Sequence, residues 1–320
     1  MQEQRKNMAE PLALGIDIGG TKTAFGLVNR RADIILKGSI PTTGHGTVEE
    51  YVAALKNALE PVFSQAGKER IIGAGAGAPN GNFFTGEIMF APNMPWHGVI
   101  PMAKLLSESL GLKVSLNNDA NAATIGEMTY GVAKGMKDFV LVTLGTGVGS
   151  GFVANGQMIY GHDGFAGELG HIIAVHDGRQ CGCGRKGCLE TYTSATGVTK
   201  TAELWLEERT DASILREYKG KMNSQYIHEA AEKGDALALE IFDYTAKILG
   251  QTLADIVAIT SPEAIVFFGG LAKAGDILLK PVKKYMEANV LNIYRDKVAI
   301  LQSAFNDADA AILGASSMAW

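Results

Sequence analysis

Cysteine is scarce in this chain, three residues in 320, and long apolar runs, low-complexity stretches and any excess of positive charge are missing. With so few thiols, a small scaffold stapled by disulfides is excluded. No apolar run reaches the roughly 18 residues that a membrane-spanning helix needs. Lys and Arg together number 29 against 34 Asp and Glu, a formal charge of -5. That balance offers no broad basic field for nucleic acid, so any anionic ligand must be held by local devices. Residues 1 to 10 are polar and of mixed charge, with no apolar stretch behind a basic start. They are expected not to be a secretory signal, and together with the few cysteines this points to a reducing cytoplasm. At 47% hydrophobic and 20% charged residues, the remainder is ordinary globular composition. The length suits two domains of about 150 residues each.

What is present is unevenly placed. All three cysteines fall in Cys181-Gly-Cys183-Gly-Arg-Lys-Gly-Cys188, with Gly170-His171 just upstream. Three thiols and an imidazole form the ligand set of a closed tetrahedral zinc site, and the intervening glycines let the backbone bend three sulfurs toward one ion. A disulfide is the alternative, but Cys-x-Cys neighbours are badly placed to bond each other and one thiol would be left over. Glu168 before this loop and Glu190 after it put two carboxylates beside the metal. The 39 glycines cluster as well, at 15–26, 73–86, 145–170, 178–187 and 269–275. Clusters without accompanying Ser and Pro tracts indicate sharp turns rather than linkers.

Apolar patterning gives a strand over Leu12–Ile18, the turn Gly19-Gly20-Thr21-Lys22, and a second strand over Thr23–Val28. An amphipathic helix follows over 48–63, then a strand over Ile71–Ala78 and a turn at Pro79-Asn80-Gly81. Val99–Leu110 reads as a helix, Lys113–Asn117 as a strand, and Ala120–Tyr130 as a helix beginning just after Asn118-Asp119. The opening pattern then recurs: strand Phe139–Leu144, turn Gly145-Thr146-Gly147-Val-Gly149, strand Phe152-Val153. Two such units predict duplicated α/β halves facing each other across a cleft. Helices are expected over 195–208, 236–259 and 309–318, and Ala264–Phe268 is a strand running into Gly269-Gly270. The last helix is expected to return to the N-terminal domain.

Asp17 and the turn after it lie between two strands. They therefore match neither a P-loop nor a dinucleotide fingerprint, both of which pass from strand to helix. Such a turn presents N–H groups and a hydroxyl to phosphate oxygens, and an aspartate at the strand end can organise hydrated magnesium. A plain hairpin would read the same locally. Asp119, at the start of a helix, reads either as an N-cap or as a carboxylate kept ionised by the helix dipole and poised as a base.

Taken together, these segments resemble the ROK family of sugar kinases, within the actin-like, hexokinase-type ATPase fold, over essentially the whole chain. The resemblance is carried by Asp17–Thr23, Asn117-Asn118-Asp119-Ala-Asn-Ala-Ala, Leu144-Gly145-Thr146-Gly147-Val-Gly149-Ser-Gly, Gly167-Glu168-Leu-Gly170-His171, the cysteine loop with Glu190, and Phe268-Gly269-Gly270. It implies a two-lobed, ribonuclease H-like α/β fold with a structural zinc loop. The implied small domain covers residues 1–119, completed by a helix at 308–320, and the large domain covers 120–307 with the zinc loop at 171–188. The implied reaction is ATP-dependent phosphorylation of a hexose with magnesium, and Asp119 takes the proton from the attacking hydroxyl. Asn93, Asn118, Asp119, Glu168, His171 and Glu190 would contact the sugar. Asp17, Gly19, Gly20, Thr21, Lys22, Gly145, Thr146 and Gly147 would hold the phosphates and magnesium, and Gly269 and Gly270 would back the nucleoside. His171, Cys181, Cys183 and Cys188 would bind zinc, leaving no open position for catalysis.

Glucose is the first substrate choice, because the Glu-x-x-His and Cys-x-Cys-Gly-x-x-Gly-Cys-x-Glu arrangement resembles bacterial glucokinases. Kinases of N-acetylglucosamine, N-acetylmannosamine, fructose, mannose and allose share most of it. Related sugar-responsive repressors carry an added helix-turn-helix; with about eleven residues before the first strand here, a repressor is not the expected reading. An actin-type assembly protein would have no use for the zinc loop. Similar kinases are commonly dimers or tetramers, so a homo-oligomer is expected. One departure is Asn80, where many relatives have glycine. Trp96 is expected to pack, and His45, His97, His162, His176 and His228 to be surface or loop residues.

Overall fold

The computed structural model describes residues 10–320. Contacts divide them into two compact units: residues 10–134 with 160–166 and 305–320, and residues 135–159 with 167–304.

The first unit opens with β1 (Leu12–Ile18), β2 (Lys22–Val28), β3 (Ile34–Pro41), α1 (Val48–Ala66) and β4 (Ile71–Gly77). It continues through β5 (Ile88–Met89), β6 (Val99–Ile100), α2 (Met102–Leu110), β7 (Val114–Asn117) and α3 (Asp119–Thr129). Its sheet runs β3-β2-β1-β4-β7, with β1, β2 and β3 antiparallel and β1, β4 and β7 parallel. Six of the seven residues of β1 are buried, which explains its unbroken apolar reading: it is covered on both faces. Helix α1 buries Tyr51, Val52, Leu55, Leu59 and Phe63, and its N-terminus is capped by the Thr47 hydroxyl.

Strand β3 escapes the sequence reading because half its residues face water and its middle is Lys37-Gly38-Ser39. The helix expected from Val99 starts only at Met102. Val99 and Ile100 instead pair with β5, since Pro101 disfavours helical geometry in the residue before it.

In the second unit come β8 (Phe139–Leu144), β9 (Val148–Ala154), β10 (Gln157–Met158), α4 (Glu190–Thr193), α5 (Ala195–Glu208) and α6 (Ser224–Glu232). After these are α7 (Ala236–Thr260), β11 (Ala264–Phe268), α8 (Asp276–Asn289) and β12 (Ala299–Gln302). The sheet order is β10-β9-β8-β11-β12, again an antiparallel hairpin followed by parallel strands. Both units thus repeat the plan expected from the two strand–turn–strand patterns. Strand β9 begins at Val148, inside the stretch read as turn. Helix α7 buries Ile241, Phe242, Leu249, Leu253 and Val257 in the core of this unit.

The last helix, α9 (Asp307–Ser317), returns to the first unit. It lies on β1 and β4 at two glycines. A Cβ at Gly15 would strike the Ile312 carbonyl oxygen, and one at Gly75 the Ala315 carbonyl oxygen. On its other side Gly314 approaches α3 so closely that a Cβ on Gly126 would stand 2.8 Å from the Gly314 Cα. This packing brings α3 into the first unit, which runs on to Lys134, whereas the sequence reading divided the chain at residue 119. Among the described residues, no helix is long and apolar enough to cross a membrane.

Candidate functional site

In the first unit, the turn after β1 is closed by the Gly19 N–H donating to the Lys22 carbonyl at 3.1 Å. Thr21 and Lys22 are exposed, and the face of Gly20 that lacks a side chain lies against the Asn93 carbonyl oxygen. Asn93 itself is exposed in the loop between β5 and β6. Asp17 precedes the turn, half-buried at the end of β1. Burial first, and the neighbouring Asp119 carboxylate second, push its carboxyl up from 3.8 to about 6.

The start of α3 resolves the two readings of Asp119. The cap is Asn118, whose Oδ1 accepts from the Asn121 N–H at 2.7 Å. Asp119 is therefore the first helical residue; it is exposed, and its Oδ1 accepts from the Ala120 N–H at 2.9 Å. The helix does not begin after Asp119, as the sequence reading had it, but with it. Buried Asn117 braces this corner: its Oδ1 accepts from the Asn118 N–H at 3.0 Å and from Asn121 Nδ2 at 3.1 Å, while its own Nδ2 donates to the Tyr160 hydroxyl at 3.1 Å. Asn80, the departure in sequence, takes φ +51°, a left-handed conformation open to asparagine, and donates to the Met89 carbonyl at 3.0 Å. Trp96 packs as expected, its ring 4.7 Å from that of Tyr51.

In the second unit, the Gly145 N–H donates to the Gly147 carbonyl at 3.0 Å, closing the second turn. The N-terminus of α5 clamps it: the Ala195 N–H reaches the Gly145 carbonyl at 2.9 Å and the Thr196 hydroxyl the Thr146 carbonyl at 2.8 Å. Glu168 is exposed and precedes the helical turn that ends in His171. The side-chain donor atoms of His171, Cys181, Cys183 and Cys188 lie within 4.8 Å of one another. Cys181 Sγ is 3.7 Å from His171 Nδ1, and Cys183 Sγ is 3.6 Å from Cys188 Sγ, with all three thiols free. A tetrahedron with ligand bonds of about 2.3 Å has edges of roughly 3.8 Å, so the four residues fit a zinc ion. Burial pushes the Cys181 thiol well above the usual thiol range, and a dication at the centre would reverse that by favouring thiolate.

Glu190, the first residue of α4, leans on this cluster. Its Oε1 lies 3.0 Å from Cys181 Sγ and 3.6 Å from His171 Nδ1, and its Oε2 stands 2.8 Å from where a Cβ on Gly147 would be. The carboxylate thus touches both the cysteine loop and the second turn. Beside it opens a cavity of about 670 Å³, lined among others by Thr146, Gly147, Glu190, Thr196 and Lys200.

Two features of this unit were missed in sequence. Arg179 ties the cysteine loop to α4 and α5, donating to the Thr191 carbonyl at 2.8 Å, the Gly197 carbonyl at 3.1 Å and the Thr201 hydroxyl at 2.9 Å. Its guanidinium carbon also lies 4.5 Å from the centre of the Tyr192 ring. An arginine between Gly178 and Gln180, two residues before the first cysteine, is the only signal the sequence offers. The second is a cavity of about 340 Å³ at Gly270, walled by Ser224, Gln225 and His228 of α6 and by Lys273. His228 is therefore a half-buried helical residue facing Phe242, with ring centres 6.2 Å apart, and not the surface or loop residue expected. Gly269, at φ +101° with the Leu144 backbone beside it, leaves no room for a side chain.

The site residues thus fall in two groups. Asp17, Gly19, Gly20, Thr21, Lys22, Asn93, Asn118 and Asp119 belong to the first unit, and Gly145, Thr146, Gly147, Glu168, His171, Glu190, Gly269 and Gly270 to the second. Comparison with known proteins bears on both. The chain is 38% identical over 290 residues to a glucokinase of Halalkalibacterium halodurans, with 89% of this chain and 88% of that protein aligned. It is 32% identical over 313 residues to a glucokinase of Thermotoga maritima, covering 95% and 96%. A crystal structure of a ROK family glucokinase from Streptomyces griseus in complex with glucose and AMPPNP matches with a TM-score of 0.78 at 31% identity, over 96% of this chain and 98% of that one. The ROK family profile matches residues 13–320, which include both glycine turns, Asp119 and the cysteine loop. The chain belongs to the ROK family.

Proposed function

We propose that this protein is an ATP-dependent hexose kinase that converts glucose to glucose 6-phosphate, with Asp119 as the general base. The observation that carries this reading is the start of α3: Asn118 takes the capping duty, so Asp119 is held at the helix N-terminus with its carboxylate exposed. Its Oδ1 accepts from the Ala120 N–H, which fixes the carboxylate's direction, as a base requires.

In the reaction, Asp119 takes the proton of the sugar hydroxyl as its oxygen bonds to the γ-phosphorus. The bond from that phosphorus to the β,γ-bridging oxygen breaks and ADP leaves. Little covalent chemistry is asked of the protein, so placement and charge neutralisation dominate. The turns at Gly19–Lys22 and Gly145–Gly147 offer N–H groups and hydroxyls to the phosphates, Asp17 would hold hydrated magnesium, and Lys22 adds positive charge. Gly269 and Gly270 back the nucleoside.

Asn93, Asn118, Glu168, His171 and Glu190 would pair the sugar hydroxyls, since a buried hydroxyl without a partner costs about 1–3 kcal/mol. His171, Cys181, Cys183 and Cys188 would hold zinc, whose contribution is structural: it fixes the loop between Glu168 and Glu190. With His171 Nδ1 facing the thiols, its Nε2 is the ring nitrogen left for the sugar.

A coupled ADP-release assay with ATP and magnesium tests the reading. The panel comprises glucose, N-acetylglucosamine, N-acetylmannosamine, fructose, mannose and allose. Glucose is expected to give the highest kcat/KM; another sugar in first place would reassign the substrate, and turnover of none would refute the kinase.

A further inference from the structure

Beneath the first glycine turn lies a chain of buried hydroxyl groups. The Thr23 hydroxyl is 2.8 Å from the Thr42 hydroxyl and 2.8 Å from that of Tyr51, and Thr23 and Tyr51 are both fully buried. The Thr42 N–H donates to the Thr21 carbonyl at 2.9 Å. Residues on either side of Lys22 are thus tied to α1 and to the end of β3. Tyr51 also meets the loop that carries Asn93, because the Trp96 ring lies 4.7 Å from it at a tilt of 50°. Trp96 is 9% exposed, and its Nε1 has no hydrogen-bond partner among the described residues. No hydrogen bond at that nitrogen pins the indole, so its position depends on packing, in which the Tyr51 ring is its aromatic neighbour. The same loop touches the turn directly where Gly20 faces the Asn93 carbonyl oxygen, and any larger residue at position 20 would push the two apart.

We infer that Tyr51 and Trp96 are positioning residues that couple sugar binding at the Asn93 loop to nucleotide binding at the first glycine turn. The inference rests on the kinase reading above. A sugar held by Asn93 orders residues 92–96, and Trp96 then seats on Tyr51. Tyr51 in turn holds the Gly19–Lys22 turn through Thr23 and Thr42. The second ligand finds its site already ordered and binds more tightly, and by linkage the effect is the same in either order of addition.

The test measures the affinity of the intact protein for magnesium AMPPNP by calorimetry, with and without saturating glucose, in the wild type, Tyr51→Phe and Trp96→Phe. Glucose is expected to tighten nucleotide binding by about fivefold or more in the wild type, the lower end of common couplings. Each variant should bring that factor to within about twofold of unity while still binding each ligand alone, and should raise the KM for ATP more than it lowers kcat. Should Tyr51→Phe fail to fold, Thr42→Val breaks the chain from its other end. Wild-type coupling retained in the folded variants overturns the inference, as does a wild type that binds both ligands independently. A wild type that binds neither ligand would instead remove the kinase reading, and this inference with it.

Discussion

Replacing Asp17 by asparagine should stabilise the protein at neutral pH while disabling it. Burial at the end of β1, and then the Asp119 carboxylate, raise the Asp17 carboxyl from 3.8 to about 6. Between those values the folded chain holds a proton that the unfolded chain releases. The contribution to stability is therefore complete below pH 4 and is lost as pH rises through 6. At 1.36 kcal/mol per pH unit the interval is worth about 3 kcal/mol; because Asp17 is only half-buried and water screens it, roughly 1–3 kcal/mol is the expected gain. A domain of this size converts that into a rise in Tm of roughly 3–8 °C at pH 7 to 8. The assay is a set of thermal melts of wild type and Asp17→Asn from pH 4 to 8 with magnesium chelated. The difference between the two proteins should shrink toward zero at pH 4, whatever other groups titrate in both. A difference that does not vary with pH, or a variant less stable than wild type at pH 7, would refute the reasoning.

Asp119→Asn should lower kcat by roughly 10²- to 10⁴-fold, the usual contribution of a general base, while calorimetry finds sugar and nucleotide bound as before; undiminished turnover removes Asp119 as the base. Cys188→Ser should reduce the metal content from one zinc per chain to near none by elemental analysis, lower the Tm and raise the sugar KM, whereas a full zinc complement would contradict the ligand set. Gly75→Ala should cost roughly 1–3 kcal/mol or more in denaturant melts, because its Cβ meets the backbone of α9, while Gly182→Ala, whose Cβ meets open space, should change stability by no more than about 0.5 kcal/mol. Equal effects of the two alanines would mean that α9 is not seated as described.

How much of this was legible in sequence depended on whether the governing contact was local. Strands β1, β4, β8 and β11 could be read because burial on both faces leaves a mostly apolar run, and the cluster of His171, Cys181, Cys183 and Cys188 because its spacing is itself the geometry. Strand β3 was hidden by its exposed half, and α8 by Pro281 within it. At Asn118-Asp119 the sequence offers two residues that both cap helices well, and only backbone geometry shows that Asn118 is the cap and Asp119 the first helical residue. The contact of Gly20 with the Asn93 carbonyl, the packing of Trp96 on Tyr51 and the tie from Arg179 in the cysteine loop to α4 and α5 depend on tertiary approach. No pattern of spacing encodes them.

The return of α9 to the first unit has a bearing on how the chain is made. Residues 10–134 leave the ribosome first, yet the carbonyls that fill the hollows at Gly15 and Gly75 belong to residues 312 and 315. Until those have been synthesised, the first sheet lacks its cover at Gly15 and Gly75, whereas residues 135–159 and 167–304 need nothing from α9 to complete their own unit. The order of completion is therefore the reverse of the order of synthesis. Nascent chains halted before residue 305 should protect the later unit from protease and leave β1 and β4 open to it, so the half bearing Asp17 and Asp119 is assembled last.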